Sequence, residues 1–170
     1  HAAPAREGWY AAVIEAENAS FTEQSAPFPA LQDVTLTVQP GECVVLCGRS
    51  GCGKTTFTHL LNGLTPEFYP GTLTGRCTAA GLAAGEAAIE AYVPQVGSVF
   101  QNPKTQYFNV DTTAELAFPC ENAGMEPQAI RRRVDEVVEQ FQLGPLMDRS
   151  VFKLSGGEKQ RVAFAAACML

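Results

Sequence analysis

Alternation of apolar and polar residues marks the beginning of the chain as β-structure. Apolar residues alternate roughly over residues 9–21, and they alternate cleanly from Val34 to Val38 before a turn at Pro40-Gly41. A period of two is produced by a strand that buries one face only. The pattern therefore predicts strands over residues 9–21 and 31–38, which together form a small antiparallel layer.

Continuous apolar runs follow, and they predict buried rather than half-buried strands. One run covers Glu42–Cys47 and another covers Val96–Phe100, with a further β segment expected over residues 72–81 between them. The first run leads through a glycine-rich turn into a segment of helical character, Phe57 to Gly63, in which Gly63 is a plausible C-cap. Residues 64–71 contain prolines and are expected to form a loop.

The second part of the chain changes to helical periodicity. Asp111 or Thr112 is suited to cap a short helix that runs through Phe118. Apolar residues then recur at i, i+4, i+7, i+8 and i+11, which is one face of an amphipathic helix; they are Ile130, Val134, Val137, Val138 and Phe141. Three arginines, residues 131–133, lie on or beside its other face and are expected to be solvated. This helical block should end at Gly144-Pro145.

Composition places the chain among globular α/β proteins, because 46% of its 170 residues are apolar and 18% are charged. The net charge of −6 argues against a nucleic-acid partner. The six cysteines contain no C-x-x-C pair, so neither a disulfide framework nor a zinc site is expected, and a reducing cytosol is the natural compartment. No apolar run is long enough to span a bilayer, and a role at a membrane would be peripheral.

The glycine-rich turn has the composition of a phosphate-binding P-loop. The turn matches G-x-x-x-x-G-K-[ST] between a predicted strand and a predicted helix, and its residues are Gly48, Arg49, Ser50, Gly51, Cys52, Gly53, Lys54, Thr55 and Thr56. Backbone N–H groups of such a loop cradle phosphate oxygens, and the helix N-terminus adds its positive end. Lys54 is then expected to reach the β- and γ-phosphates, and the Thr55 hydroxyl to ligate Mg²⁺.

A second helix start near the end of the chain also has the features of a phosphate site. Ser155 and Glu158 have capping-box spacing, and that structural role alone would account for the serine. Two glycines in the first turn, Gly156 and Gly157, cost about 1 kcal/mol each relative to alanine, which is a high cost for a cap alone. They are explained if a phosphate approaches the backbone there.

These motifs resemble those of the ATP-binding cassette (ABC) ATPases. Leu154–Glu158 is similar to the family's signature motif, and Gln101 after Val99-Phe100 is similar to its Q-loop. The resemblance implies an α/β fold: a P-loop NTPase core with an antiparallel β subdomain and an inserted α-helical subdomain. Within a single partial nucleotide-binding domain over 1–170, it places the β subdomain and P-loop core at 9–100, the Q-loop and helical subdomain at 101–155, and the signature helix at 156–170.

In that family two cassettes pair head to tail, so that the P-loop of one chain and the signature of the other close on the same ATP. The resemblance therefore implies ATP and Mg²⁺ as ligands and a second ABC ATPase subunit, identical or different, as partner. It assigns Ser155, Gly156, Gly157 and Glu158 to a partner's nucleotide. It also implies that Gln101 is catalytic, ligating Mg²⁺ and sensing the γ-phosphate.

The region from Val99 to Met125 resembles the energy-coupling-factor and cobalt-type importers, which take up vitamins or transition metal ions. That resemblance implies a membrane coupling subunit as partner, contacted by residues near 104–120, and a cytoplasmic position on the inner face of the cell membrane. A soluble ABC ATPase of translation or DNA repair is the alternative within the family. A third, non-enzymatic alternative is that the chain is only a catalytically inactive nucleotide-binding or interaction fragment.

Two departures from the family's pattern change these expectations. Glu23 stands where the family usually has an aromatic residue that stacks on adenine, so stacking falls to Phe28 or is absent. The chain ends at Leu170, before the second Mg²⁺-binding aspartate, the catalytic glutamate and the switch histidine, so the C-terminal part of the fold is expected to be missing. We expect His59 to be a partly exposed residue of the P-loop helix, and this stretch alone to bind ATP weakly and hydrolyse it poorly.

Overall fold

The computed structural model describes residues 14–102 and 106–170, which fall into two compact units divided between Val96 and Gly97. The first unit contains β1 (Ile14–Glu23), β2 (Leu31–Val38), α1 (Lys54–Leu61), α2 (Leu64–Glu67), β3 (Gly71–Ala79), β4 (Leu82–Ala83) and α3 (Ile89–Tyr92). The second contains α4 (Thr112–Asn122), α5 (Pro127–Gln140) and α6 (Gly156–Ala167), with 3₁₀ turns at Gly144–Leu146 and Val151–Lys153. Together they form the mixed α/β fold that the motifs predict.

The sheet of the first unit is antiparallel throughout and has the strand order β2-β1-β3-β4. Ile14 of β1 is paired with Val38 on one side and with Ala79 on the other. The inward face of β1, together with Cys77, packs on Phe57 and Leu60 of α1. The predicted antiparallel layer is thus confirmed, although residues 9–13 of its first strand lie outside the described part of the chain.

Neither predicted buried strand forms. The run Glu42–Cys47 has no strand assignment and is exposed throughout, with Val45 77% exposed, and Val96–Phe100 is likewise without a strand. A strand requires hydrogen-bonding partners on a neighbouring strand, and the four-stranded sheet of the described residues includes neither run. An apolar run indicates that a segment is to be buried, but it does not supply the strand that pairs with it.

The helix after the glycine turn begins at Lys54, three residues before the predicted start, because Gly53 already stands at its N-cap. The helix ends at Leu61, and Gly63 follows the C-cap Asn62 with φ of +79°. A left-handed glycine just past the C-cap is a common way for a helix to end, so Gly63 does terminate the helix. The region predicted as a loop contains the short helix α2.

In the second unit the helix capped by Asp111 extends to Asn122 rather than Phe118, with Pro119 inside it. The amphipathic helix is confirmed as α5, which begins at Pro127, a favoured first residue. It ends at Gln140, before the predicted Gly144-Pro145. The core between α4, α5 and α6 is formed by buried apolar residues that include Leu116, Cys120, Ile130, Val134, Val137, Val162, Ala165 and Met169.

One arginine of the Arg131–Arg133 run is not solvated as expected. Arg131 and Arg132 are exposed, but Arg133 donates from Nε to the Met169 carbonyl at 3.1 Å and from a terminal nitrogen to the Cys168 carbonyl at 2.6 Å. Cys168 is the C-cap of α6, where carbonyls lack helical partners. Arg133 therefore caps the C-terminus of α6.

Candidate functional site

The glycine turn is built on two left-handed glycines. Gly51 has φ of +78° and Gly53 has φ of +89°, a region that only glycine adopts without strain. A β-carbon on Gly53 would also collide with the Ala30 carbonyl oxygen and lie 2.7 Å from Leu31 Cδ2. The turn thus packs directly on the backbone of the loop between β1 and β2, where β2 begins, and no other residue fits at Gly53.

Gly53 leaves the start of α1 open, because it provides no capping side chain for the first-turn N–H groups. The helix begins with the bond from Phe57 N–H to the Gly53 carbonyl at 2.8 Å. Earlier N–H groups of an α-helix have no intrahelical acceptor. The arrangement can accept an anion at this end of α1, with the exposed Thr55 hydroxyl beside it.

The Lys54 side chain folds back over the same turn. Its Nζ donates to the carbonyls of Gly48 and Arg49, both at 2.9 Å, and lies 3.5 Å from Cys52 Sγ. The ammonium group is thereby held over the loop, although Lys54 is separated from Gly48 by five residues. A phosphate that binds in the turn would lie next to the Lys54 ammonium group. Its oxygens would then accept the hydrogen bonds that Nζ donates here to the carbonyls of Gly48 and Arg49.

The second predicted helix start has the capping box that its spacing predicts. Ser155 Oγ accepts from Glu158 N–H at 3.3 Å, and Glu158 Oε2 accepts from Ser155 N–H at 2.7 Å. These bonds with Ser155 lower the pKa of Glu158, and Arg149, 3.6 Å from its other oxygen, acts in the same direction. Glu158 is therefore a carboxylate that joins the helix start to the segment before it.

No packing contact with residues 14–102 or 106–170 explains the two glycines of this turn. A β-carbon on Gly156 or on Gly157 would meet no atom within 4 Å. Both residues are exposed and lie in the first turn of α6. This open backbone is compatible with the approach of an external group, which stays a prediction.

Gln101 is exposed in the second unit. The segment that carries it is closed by Gln106, a residue that the sequence did not single out: Gln106 Oε1 accepts from Phe100 N–H at 3.0 Å, and Nε2 donates to the Ser98 carbonyl at 3.2 Å. Residues 103–105, which include the beginning of the stretch near 104–120 that is predicted to touch a membrane subunit, lie outside the described residues. A polar side chain five residues after Gln101 gives no periodic signal, so the role of Gln106 could not be predicted.

The segment 107–109 is anchored by two further residues, Tyr107 and Glu115, whose roles the sequence analysis did not predict. The Tyr107 hydroxyl donates to the Lys159 carbonyl in α6. Glu115, only 4% exposed, accepts from the backbone N–H groups of Phe108 and Asn109 at 3.1 and 2.7 Å. A glutamate on a short helix is ordinarily solvated, and only the tertiary structure shows this one to be buried.

The structure places the predicted site residues in two groups, one in each unit. Gly48–Thr56 belong to the first unit, whereas Gln101 and Ser155–Glu158 belong to the second. Phe28, 77% exposed, lies in the loop after β1 that ends at Ala30, the residue packed on Gly53. His59 is partly exposed on α1 as expected; it stacks on Tyr69 at 4.8 Å, and burial lowers its pKa.

Comparison with known proteins agrees with these motifs. Residues 31–170 match the profile of the family described as ABC transporter. A putative ABC transporter ATP-binding protein of Treponema denticola is 46% identical over 154 residues, which is 91% of this chain and 32% of the relative. One of Pyrococcus abyssi, with the same description, is 38% identical over 93% of this chain and 56% of its own length. The chain thus spans about a third to a half of these relatives.

A solved structure has the same fold. The cbiO1 protein from Clostridium perfringens, described as part of the ABC transporter complex cbiONQ, superposes with a TM-score of 0.79. The two sequences are 25% identical, and the match covers 92% of this chain and 61% of that one. Among the described residues no helix is long and apolar enough to cross a membrane.

Proposed function

The chain belongs to the ABC transporter family, and from that premise we propose that it is the nucleotide-binding part of an ATPase subunit. We further propose that this subunit drives an importer of the energy-coupling-factor type, for a vitamin or a transition metal ion. The observation that carries the first proposal is the start of α1, where Gly53 leaves the N-terminus uncapped and Lys54 lies over the turn.

ATP phosphates bind in the concavity of Gly48–Thr56 in this proposal, with their charge balanced by Lys54 and by the N-terminus of α1. The exposed Thr55 hydroxyl is a hard oxygen ligand of the kind that Mg²⁺ prefers, and the amide oxygen of Gln101 is another. A bound Mg²⁺ would neutralise charge that develops on the phosphate oxygens during transfer. The residues of this chain therefore fit the ion, while Lys54 orients the phosphates.

The adenine base stacks on Phe28 in this proposal, because Glu23 at the end of β1 has no ring to offer. Phe28 is exposed, and its loop is fixed at both ends: Gln24 N–H donates to the Pro70 carbonyl at 3.0 Å and Ala30 N–H to the Phe21 carbonyl at 2.8 Å. The loop ends against Gly53, at the base of the phosphate turn. A stacked base contributes about 1–3 kcal/mol.

A second ATPase chain completes each site in this proposal. The signature segment Leu154–Glu158 of one chain approaches the ATP held by the glycine turn of the other, head to tail. The open backbone at Gly156 and Gly157 supports this, because a β-carbon at either residue would meet no atom of the described residues within 4 Å. The second chain is either a copy of this one or a different ABC ATPase subunit.

A membrane coupling subunit docks, in this proposal, on the segment that follows Gln101. Phe108 and Val110 are 76% and 63% exposed, and the ring of Phe108 stacks on Phe118 at 4.9 Å. Phe118 itself is half-buried, and the exposed Phe108 and Val110 beside it form an apolar surface of the kind that marks an interaction site. The similar cbiO1 protein is part of a transporter complex. The subunit is accordingly peripheral on the inner face of the membrane.

The test is purification of the full-length protein from the cells that make it, with an affinity tag and a mild detergent. We expect a membrane subunit to co-purify with it, and the complex to hydrolyse ATP. Lys54→Ala should reduce that hydrolysis at least about a hundredfold, since it removes the charge that positions the transferred phosphoryl group. Lys153→Ala, which replaces an exposed lysine of the 3₁₀ turn before α6, is the matched control.

Two results would contradict the proposal in different ways. Sedimentation with ribosomes and no membrane subunit would favour the soluble class of ABC ATPase over an importer. ATP hydrolysis that Lys54→Ala leaves unchanged would contradict the nucleotide site itself.

A further inference from the structure

We propose that Tyr107 is a positioning residue, which holds the first turn of α6, and with it the signature residues, to the segment that carries Gln101. The inference rests on the proposed function, because it concerns how the signature segment is aimed at a partner's nucleotide. The residues involved all lie in the second unit, Gly97–Leu170.

The Tyr107 hydroxyl is bonded into the helical ladder of α6. It donates to the Lys159 carbonyl, 52 residues further along the chain. Burial, together with the nearby Glu115 carboxylate, raises the pKa of Tyr107 to about 12, although the backbone of Ala163 acts in the opposite direction. The hydroxyl therefore stays protonated and remains a donor at any physiological pH.

The bonded turn is the one that contains the capping box. Lys159 directly follows Glu158, and its own N–H donates to the Ser155 carbonyl at 2.9 Å. The N–H groups of Gly156 and Gly157 point outward from the same turn, where no intrahelical acceptor exists for them. A shift of the Lys159 carbonyl therefore changes the direction of the groups that would bind phosphate.

The backbone around Tyr107 is held independently from α4. Both following N–H groups, of Phe108 and Asn109, donate to Glu115 Oε2, and the Asn109 side chain adds a third bond at 3.2 Å. A buried carboxylate with three donors is fixed in place, because each bond offsets part of its desolvation. Tyr107 thus bridges from a segment anchored on α4 to the start of α6.

On its other side Tyr107 continues into the closed segment around Gln101. Gln106, its neighbour in sequence, bonds Ser98 and Phe100 on the N-terminal side of Gln101. A displacement of this segment by a membrane subunit would therefore be passed through Tyr107 to Lys159. The tyrosine hydroxyl thus bonds the segment that carries Gln101 directly to the first turn of α6.

The test compares Tyr107→Phe with Tyr92→Phe in the full-length subunit assembled with its partners. Tyr92 is the matched control, since its hydroxyl also donates to a carbonyl, that of Leu82 at 3.4 Å, but in the first unit. We expect Tyr107→Phe to lower kcat about three- to tenfold, the effect of one lost hydrogen bond. The Kd for ATP of the isolated subunit should not change, because the glycine turn is untouched. Tyr92→Phe should leave both unchanged.

A second measurement separates positioning from general stability. Amide hydrogen exchange at Gly156–Lys159 should become faster in the folded Tyr107→Phe subunit, while exchange in α5 stays the same. An unchanged kcat, or a loss of kcat matched by an equal loss of ATP affinity and of thermal stability, would overturn the inference. An inactive wild-type complex would instead overturn the proposed function, and this inference with it.

Discussion

Gly53 shows how much of the role of a single residue could be predicted from the sequence. The motif alone predicted that glycine was needed for a phosphate-binding turn, and the left-handed φ of +89° agrees with that requirement. The contact with the Ala30 carbonyl was not predictable, since it depends on how β2 enters the sheet. Sequence patterns therefore identify residues with special backbone needs, but not the neighbours that enforce them.

Cys52 offers a prediction at this scale, because its thiol is exposed and Lys54 Nζ lies 3.5 Å away. Mg²⁺ and ATP should slow alkylation of Cys52 at least about tenfold, since bound phosphates take Lys54 and cover the turn. The readout is peptide mass spectrometry after timed exposure to a maleimide at pH 8.

Two other cysteines are internal controls for that experiment. Cys43 is exposed and lies before the turn, so its alkylation should be independent of nucleotide. Cys77 is buried, and burial raises its pKa to about 11, so it should react only on unfolding. Equal rates at Cys52 with and without nucleotide would mean that phosphate does not bind in the turn.

At the scale of elements, periodicity was predictive where a helix buries one side. It located α5 and its buried residues Ile130, Val134 and Val137, and the capping-box spacing located the start of α6. It failed for Glu42–Cys47, because strand formation depends on a neighbouring strand and not on the run itself. It also failed for Arg133, which reaches α6 from the flank of the helix that the pattern assigns to solvent.

Arg133→Met removes the hydrogen-bond donor of the Cys168 and Met169 carbonyls. The free energy of unfolding should therefore fall by about 1–3 kcal/mol, the cost of leaving buried polar groups without a partner. Methionine keeps the aliphatic length of the side chain. Arg132→Met, at the exposed neighbouring position, should change stability by less than about 0.5 kcal/mol. Urea denaturation of the full-length protein measures both, and equal effects of the two variants would show that Arg133 is not a cap.

For the whole molecule, the order of the motifs was enough to predict the family and the mixed α/β fold. The two helix starts at which phosphate is proposed to bind lie in different units, that of α1 in the first and that of α6 in the second. The sequence could not show that Gln106, Tyr107 and Glu115 organise the second unit, because their roles depend on contacts with residues distant in the chain, such as Lys159.

In the proposed pair of subunits, the glycine turn and the signature segment of one chain act on different nucleotides. The most direct measurement is sedimentation of the full-length ATPase subunits with Mg²⁺ and a non-hydrolysable ATP analogue, which reports whether two subunits pair. Binding of the analogue by the isolated chain is measured in parallel. Gly157→Asp is the informative variant, because its β-carbon meets nothing within 4 Å and its charge repels phosphate. Wild-type subunits should bind the analogue and form pairs, whereas the Lys54→Ala variant should do neither. The Gly157→Asp variant should bind the analogue with a Kd within about twofold of the wild-type value but should fail to pair. Weakened binding by the isolated Gly157→Asp chain, or normal pairing of that variant, would contradict the account.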